Sequence, residues 1–532
     1  MTESLTVMMA QINPIVGAIE ANTNTIIDIV RAQASKNDLI VFPELVLTGY
    51  PPEDLLFRNS CANRVNTAIN AIMAATGAVY VIVGHPSWYK NQCFNSASVF
   101  YSGKCVARYY KQTLPTHGVF DERRYFTPGP ETACVFKIKN TGIGLCICED
   151  LWQPGPVERL KSAGAQLLIS LNASPFEETK QQQRMSILKE HALTGLNIVY
   201  VNLVGGQDEL LFDGQSMAYD NHGQCFARAP AFESNLQTVT FNPNKARVAP
   251  VPDIDHTAIL YRALVFGLHD YIEKNGFPAV LIGLSGGIDS ALTLAIAADA
   301  LGAERVHAVM MPSRYTATIS HEYALQQLNT MHVAYTTLDI EPTFNALIST
   351  LEPSFIGHAP DVTEENLQAR IRGTLLMALS NKTGNMVLTT SNKSELAVGY
   401  STLYGDMCGG FSVLKDVFKT QVYALAKYRN TITPVIPEQV LTRAPSAELA
   451  WNQTDQDSLP EYELLDTILR AYIYEHCDLD DLLLRGYTRD LVEPIIQRIK
   501  RNEHKRRQAA PGVKISHCAF GKDWRYPITS KF

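Results

Sequence analysis

The stretch AVLIGLSGGIDSALTLAIAADALG, residues 279–302, constrains this chain more than any other. Its opening run carries no polar face, so it reads as a strand buried on both sides, the kind found in parallel sheets covered by helices. The glycines then turn the chain into a helix, whose N-terminal N–H groups face the turn and make it a place for an anion. RVHAVMMP (305–312) and NMVLTTS (385–391) continue the strand–helix rhythm. The second half is therefore expected to be an α/β domain built on a doubly wound, mostly parallel sheet.

The first half is also α/β. LTVMMAQI, DLIVFPEL, AVYVIVGH, CFNSASVFY, GIGLCICE, AQLLISLN and NIVYVNLV read as strands, with helical pattern in NTNTIIDIVRAQASK and PVERLKSAG between them. SMAYDNHGQCFARAP and LQTVTFNP add further β-like stretches. Prolines and charges in NKARVAPVPDIDH then interrupt all periodicity. This divides the 532 residues into domains at 1–245 and 257–532, with a linker at 246–256. A net charge of −7 gives no reason to expect nucleic acid or an anionic membrane as partner. No apolar run is long enough to span a bilayer. The start, MTESLTVMMAQINP, lacks the features of a secretory leader. Ten cysteines without a CxxC pair read as reduced thiols, which places the protein in the cytoplasm.

SGGIDS lacks the GK[ST] ending of a Walker A loop. Ser285 and Ser290 can offer hydroxyls, and Asp289 a carboxylate for magnesium. Taken alone, the motif fits equally well a tight connection with an acid at a helix N-terminus. SGGIDS resembles, however, the pyrophosphate loop of the ATP pyrophosphatases (the adenine nucleotide α-hydrolase-like fold). EENLQARIRG (364–373), TTSNKSELAVGYSTLYGDMCGGFSVLKDVFKT (389–420) and NEHKRRQAAPGVKIS (502–516) narrow the resemblance to the NAD synthetases. That resemblance implies ATP held by Ser285, Gly286, Gly287, Ile288, Asp289, Ser290, Thr390, Lys419 and Ser446, the last standing where ammonia-only members carry threonine. It implies Mg2+ on Asp289 and Glu395, and deamido-NAD held by Asn366, Arg370, His504 and Lys505. Leu403 departs from the family, standing where ammonia-only members carry a lysine. From spacing alone, Arg370 and Arg372 would face solvent on a helix.

GIGLCICED (142–150) holds two cysteines one residue apart. On a strand, Cys146 and Cys148 would point the same way, so geometry does not choose between them. Glu44 in FPELVLTGY and Lys111 in YYKQTLPTHGVFDERRYF each follow a strand end. FPE, K-x-x-LP and CED in this order resemble the nitrilase (carbon–nitrogen hydrolase) superfamily, with its α-β-β-α sandwich. The resemblance implies Cys148 as nucleophile, Cys146 as packing, Glu44 as general base, Lys111 as oxyanion partner and Glu122 as a second, orienting glutamate. It also implies glutamine contacts at Ser174 and Lys180, with His117 replacing the usual tyrosine after LP.

Together the resemblances imply a glutamine-hydrolysing NAD synthetase. It would adenylate deamido-NAD with ATP, release pyrophosphate, then use sheltered ammonia to displace AMP. A homo-oligomer, at least a dimer through the second domain, is expected. Two other readings are a different glutamine amidotransferase of the same ATP class (a GMP or asparagine synthetase) and a non-catalytic binding protein keeping both folds.

Overall fold

The strand signals of the first half assemble into two six-stranded sheets. The structure, a computed structural model, describes residues 4–241, 255–446, 448–451 and 453–531. It divides into two compact units, Met1–Asp253 and Ile254–Phe532. Residues 246–254 of the expected linker lie outside the described residues. Asp255 caps the first helix of the second unit, His256–Asn275, its side chain accepting from the Ala258 amide at 2.9 Å.

In the first unit, one sheet runs Asn235–Phe241, Leu5–Gln11, Leu39–Val41, Tyr80–Tyr89, Gln92–Tyr101 and Lys104–Tyr110 in spatial order. The other runs Cys225–Arg228, Met217–Tyr219, Asn197–Asn202, Leu167–Asn172, Thr141–Ile147 and Val135–Ile138. Period-two alternation sorts their side chains into layers. Leu5, Val7 and Met9 meet Leu145, Ile147 and Ile169 between the sheets. Met8, Ala10, Ile40 and Phe42 belong to a core shared with residues of helices Ile19–Gln33 and Asn59–Ala75. On the far side, Leu168 and Ile198 pack with residues of helices Pro156–Ser162 and Lys180–Leu193. This is the expected α-β-β-α sandwich.

The second unit holds a five-stranded, wholly parallel sheet. Its order is Ala334–Thr337, Val306–Met310, Val280–Gly283, Met386–Thr389 and Phe411–Ser412. The glycine turn follows the central strand. Gly286 has φ +85°, and a Cβ there would lie 2.2 Å from the Ser320 carbonyl oxygen, so only glycine fits. The irregular C-terminal segment is pinned by a buried lysine: Lys393 Nζ donates to Asp416 (2.6 Å), to the Ser516 hydroxyl (2.8 Å) and to the Cys518 carbonyl (2.6 Å). All ten cysteines are free thiols. Among the described residues, no helix is long and apolar enough to cross a membrane.

Gly84 shows how closely the first unit is packed behind Glu44. A Cβ there would sit 2.4 Å from the Pro43 carbonyl oxygen and 2.8 Å from Glu44 Cα. Gly84→Ala is expected to cost about 1–3 kcal/mol in urea denaturation by overpacking. Gly77→Ala is the control, because a Cβ at Gly77 meets nothing within 4 Å.

Candidate active site

In the first unit, the chain leaves the sheets at several strand ends and delivers one reactive or charged group at each. Glu44 follows the strand Leu39–Val41, Lys111 follows Lys104–Tyr110, and Cys148 follows Thr141–Ile147. Glu122 opens the short turn Glu122–Arg124. Lys111 Nζ donates to Glu44 Oε1 at 2.8 Å and to Glu122 Oε1 at 2.7 Å. Glu44, Lys111 and Glu122 are only 1%, 1% and 4% exposed, so water screens none of these charges. Neutral donors also reach both carboxylates. The Ala173 amide donates to Glu44 Oε2 at 2.8 Å, and the Tyr50 hydroxyl to Glu122 Oε1 at 2.8 Å. Asn95 Nδ2 donates to Glu44 Oε1 at 2.7 Å and reaches Glu122 Oε2 at 3.5 Å.

Burial alone would strip the proton from Lys111, but the carboxylates of Glu122 and Glu44 outweigh it and hold the ammonium well above its ordinary pKa. Burial lifts the Glu122 carboxyl above its usual range; the Glu44 charge adds to this and Lys111 opposes it. Burial likewise pushes the Cys148 thiol well up, and the Glu44 carboxylate raises it more than Lys111 lowers it. The cluster thus sets a protonated thiol in the field of a carboxylate and a fixed ammonium. That set can take a proton from sulfur and stabilise an oxyanion.

The two cysteines do not point the same way. The strand ends at Ile147, and Cys148 begins a tight turn with φ +46°, which breaks the strand's alternation. Cys148 joins the core between the sheets, whereas Cys146 packs on the helix side with Leu151, Val157 and Leu160. Asp150, fully buried, is consumed by structure. It accepts from the amides of Gln112 (3.1 Å), Thr113 (2.8 Å) and Ile147 (3.1 Å) and from the Tyr109 hydroxyl (2.8 Å). It therefore ties the loop after Lys111 to the turn that carries Cys148.

Of the expected glutamine contacts, Ser174 is buried, its hydroxyl accepting from Arg184 Nε at 3.1 Å. Arg184 is itself fully buried and forms a two-oxygen pair with Asp213 at 2.7 and 2.9 Å. Lys180 Nζ lies over the Trp152 ring, 4.1 Å from its centre. Burial lowers the Lys180 pKa, and Cys148 is among the charges acting on it. His117 is exposed, its ring edge against Phe120; among the described residues no hydrogen bond joins it to Glu44, Lys111 or Cys148.

The second unit holds a cavity of about 300 Å³. Ser285, Gly286, Gly287, Ile288, Asp289, Thr390, Glu395, Lys419 and Ser446 all line it. Ser290 is buried behind the loop, its hydroxyl 3.1 Å from that of Ser285 and donating to the Gly287 carbonyl at 3.0 Å. Lys419 Nζ bridges Asp289 Oδ2 (2.5 Å) and Glu395 Oε1 (3.0 Å). Asn392 braces the pair, donating to Asp289 Oδ1 at 2.9 Å and accepting the Glu395 amide at 3.0 Å. Asp455 also borders the cavity and accepts from Tyr462 (2.8 Å) and Tyr400 (3.3 Å). Burial pushes the Glu395 carboxyl up to about 8, with Lys419 opposing and the charges of Asp289 and Asp455 adding to the rise.

Two carboxylates converging on one cationic point suit a hard divalent ion. Among the described residues, no group of three or more His, Cys, Asp or Glu could hold a metal. Magnesium here would therefore take its remaining ligands from phosphate oxygens and water, as this cation commonly does.

Asn366, Arg370 and Lys505, from two helices, bond the loop 399–403 and do not themselves line this cavity. The Thr402 hydroxyl donates to Asn366 Oδ1 at 2.7 Å, Arg370 Nε to the Leu403 carbonyl at 3.3 Å, and Lys505 Nζ to the carbonyls of Gly399 (2.8 Å) and Ser401 (2.7 Å). His504 is exposed and bonded to the Arg501 carbonyl at 3.0 Å, apart from that cluster. Arg370 and Arg372 are not on a solvated face: both are partly buried, and Arg372 enters the cavity with Nε on the Met311 carbonyl at 3.0 Å.

Comparison with known proteins then decides the family. Residues 6–250 match the family model for carbon-nitrogen hydrolase, and residues 260–509 that for NAD synthase. The chain is 47% identical to the glutamine-dependent NAD(+) synthetase of Xylella fastidiosa strain 9a5c, covering 100% of both chains. It is 48% identical to that of Xanthomonas campestris pv. campestris, covering 99% of this chain and 98% of the other. Among solved structures, the glutamine-dependent NAD+ synthetase of Acinetobacter baumannii in complex with adenosine diphosphate shares 46% identity and a TM-score of 0.81, over 99% of this chain and 98% of that one. The chain belongs to the glutamine-dependent NAD(+) synthetases.

For a synthetase of this family, the sequence reading missed Tyr50, Asn95, the Ala173 amide, Arg184, Arg372 and Asp455. Arg184 and Asp213 lie 29 positions apart, and Asn95 and Glu44 lie 51 apart, so no local spacing relates them. Arg372 had a usable signal, being two residues from Arg370 in EENLQARIRG.

Lys111→Met would leave the buried Glu44 and Glu122 carboxylates without their cation. A loss of about 3–5 kcal/mol is expected near neutral pH, as for other broken buried pairs. Glu122 already binds its proton more readily in the folded unit than in an unfolded chain. Its protonation therefore favours the fold at low pH, and that contribution is lost as pH rises. Urea denaturation of Lys111→Met should show a smaller deficit at pH 5 than at pH 8.

Proposed function

We propose that this synthetase makes NAD from deamido-NAD, ATP and glutamine by two separate chemistries. In the first unit, Glu44 takes the Cys148 proton as the sulfur attacks the side-chain carbonyl of glutamine. The Lys111 ammonium, locked by Glu122, stabilises the tetrahedral oxyanion. Glu44 returns the proton to the departing nitrogen, and ammonia leaves a thioester on Cys148. Glu44 then deprotonates the water that releases glutamate. Ser174 and Lys180 hold the amino-acid end of glutamine, with His117 as a weaker contact from the rim.

In the second unit, the nicotinate carboxylate of deamido-NAD attacks the α-phosphorus of ATP and pyrophosphate departs. Ammonia adds to the acyl-adenylate and AMP leaves, giving the amide of NAD. Ser285–Asp289, Thr390 and Ser446 cradle ATP, with Ser290 bracing the loop from behind, and Lys419 offsets its charge. Asp289 and Glu395 would hold Mg2+, which when bound neutralises the pyrophosphate oxygens. Asn366, Arg370 and Lys505 hold deamido-NAD, with His504 reaching it from the exposed side. We further propose a cytoplasmic enzyme, in keeping with ten free thiols, and a homo-oligomer of at least two chains.

The observation that carries this reading is full-length relationship to curated glutamine-dependent NAD(+) synthetases together with the buried Glu44–Lys111–Glu122 cluster next to Cys148's turn. It also favours deamido-NAD over a purine nucleotide or aspartate as the acid that is amidated. The test is NAD and AMP formation from ATP, magnesium and deamido-NAD with either glutamine or ammonium. Cys148→Ala is expected to lose glutamine-driven synthesis by at least about 1,000-fold while ammonium-driven synthesis stays within about threefold. Cys146→Ala should leave both largely intact. Loss of both activities in Cys148→Ala, or ATP cleavage stimulated by a purine nucleotide or aspartate in place of deamido-NAD, would overturn the assignment.

A further inference from the structure

We propose that Asn95 is a positioning residue for glutamine cleavage, clamping Glu44 and Glu122 side by side so that the base keeps its orientation. The inference rests on the reading of Glu44 as general base. Asn95 lies in the strand Gln92–Tyr101 and is 1% exposed. It touches all three ionisable members of the cluster. Its carbonyl accepts the Lys111 amide at 2.8 Å, and its Nδ2 donates to Glu44 at 2.7 Å and reaches Glu122 at 3.5 Å. The amide cannot be turned over, because that would set its oxygen against two carboxylates.

Meanwhile Asn95 Oδ1 is buried with no donor in the protein. An unpaired buried acceptor works against the fold, so Asn95 is poorly explained as a residue serving stability alone. Its placement is explained by its donor end. Two buried carboxylates repel each other, and a neutral donor between them lowers that repulsion without adding a second cation beside Lys111. The groups facing Glu44 are Lys111, Glu122, Tyr50, Cys148 and the Ala173 amide, and Asn95 is the neutral side chain bonding both carboxylates.

The test uses the full chain and follows glutamine-driven and ammonium-driven NAD formation across pH for Asn95→Leu, Asn95→Asp and Glu44→Gln. Asn95→Leu should lower glutamine-driven kcat by about 10–100-fold, with KM for glutamine nearly unchanged. That kcat loss should persist across the pH range, because a base turned away from the sulfur is not restored by changing its charge. Asn95→Asp keeps the shape of the side chain but adds a third acid. It should lose activity too, and increasingly as pH rises. Ammonium-driven synthesis should persist in both. If Asn95→Leu does not fold, Asn95→Asp carries the test. Asn95→Asp matching the parent would reduce Asn95 to filling space, and a rise in KM with kcat unchanged would make it a substrate contact; either overturns the proposal. Glu44→Gln retaining glutamine cleavage would instead overturn the assignment of the base, whatever Asn95 does.

Discussion

One buried ammonium, that of Lys111, organises the first unit. Taking a carboxylate or an ammonium out of water costs several kcal/mol per ion, and the cost is recovered only where partners are close and the remaining oxygens are bonded. Lys111 meets both conditions, lying within 2.8 Å of one carboxylate and 2.7 Å of another. Around it, Tyr50, Asn95 and the Ala173 amide occupy most of the remaining acceptor sites. Strand ends from both sheets must be held in register for this to occur. Asp150 does part of that work by joining the Lys111 loop to the Cys148 turn.

The second unit uses the same device with a different outcome. Lys419 also bridges two carboxylates, but Asp289 and Glu395 keep 18% and 16% side-chain exposure and open onto the cavity, unlike the sealed first cluster. With Asp455 close by, one lysine is too little positive charge, and Glu395 is pushed up to about 8 by burial and its acidic neighbours against the pull of Lys419. A closed cluster, sealed from water, suits proton transfer to and from one sulfur. An open cluster short of positive charge suits a divalent cation arriving with phosphates.

What could be read along the chain was whatever local backbone rules produce. SGGIDS announced its turn because glycine at φ +85° and a helix N-terminus are local properties. Glu44 and Lys111 could be placed just past strand ends because apolar runs stop visibly there. The layering into a sandwich was implied by the resemblance of FPE, K-x-x-LP and CED to the nitrilase superfamily, whereas period-two alternation marked only the strands. Pairing across long separations left no trace of that kind: Tyr50 with Glu122, Arg184 with Asp213, and Arg372 with the Met311 carbonyl each join segments whose spacing carries no information.

The sequence by itself determined the α/β class, the two halves and the chemical groups available to each, since these depend on residue type and local periodicity. Only the tertiary structure decided how those groups are used. It turned Cys148 toward the space between the sheets and Cys146 toward the helices, because a positive φ at the strand's end outranks alternation. It left His117 exposed, set Arg372 in the cavity, and brought Asn366, Arg370 and Lys505 from two helices onto the loop 399–403. The physical reason is common to all of these. Burial sets the cost of a charge, and burial is a property of the packed molecule and not of any one segment.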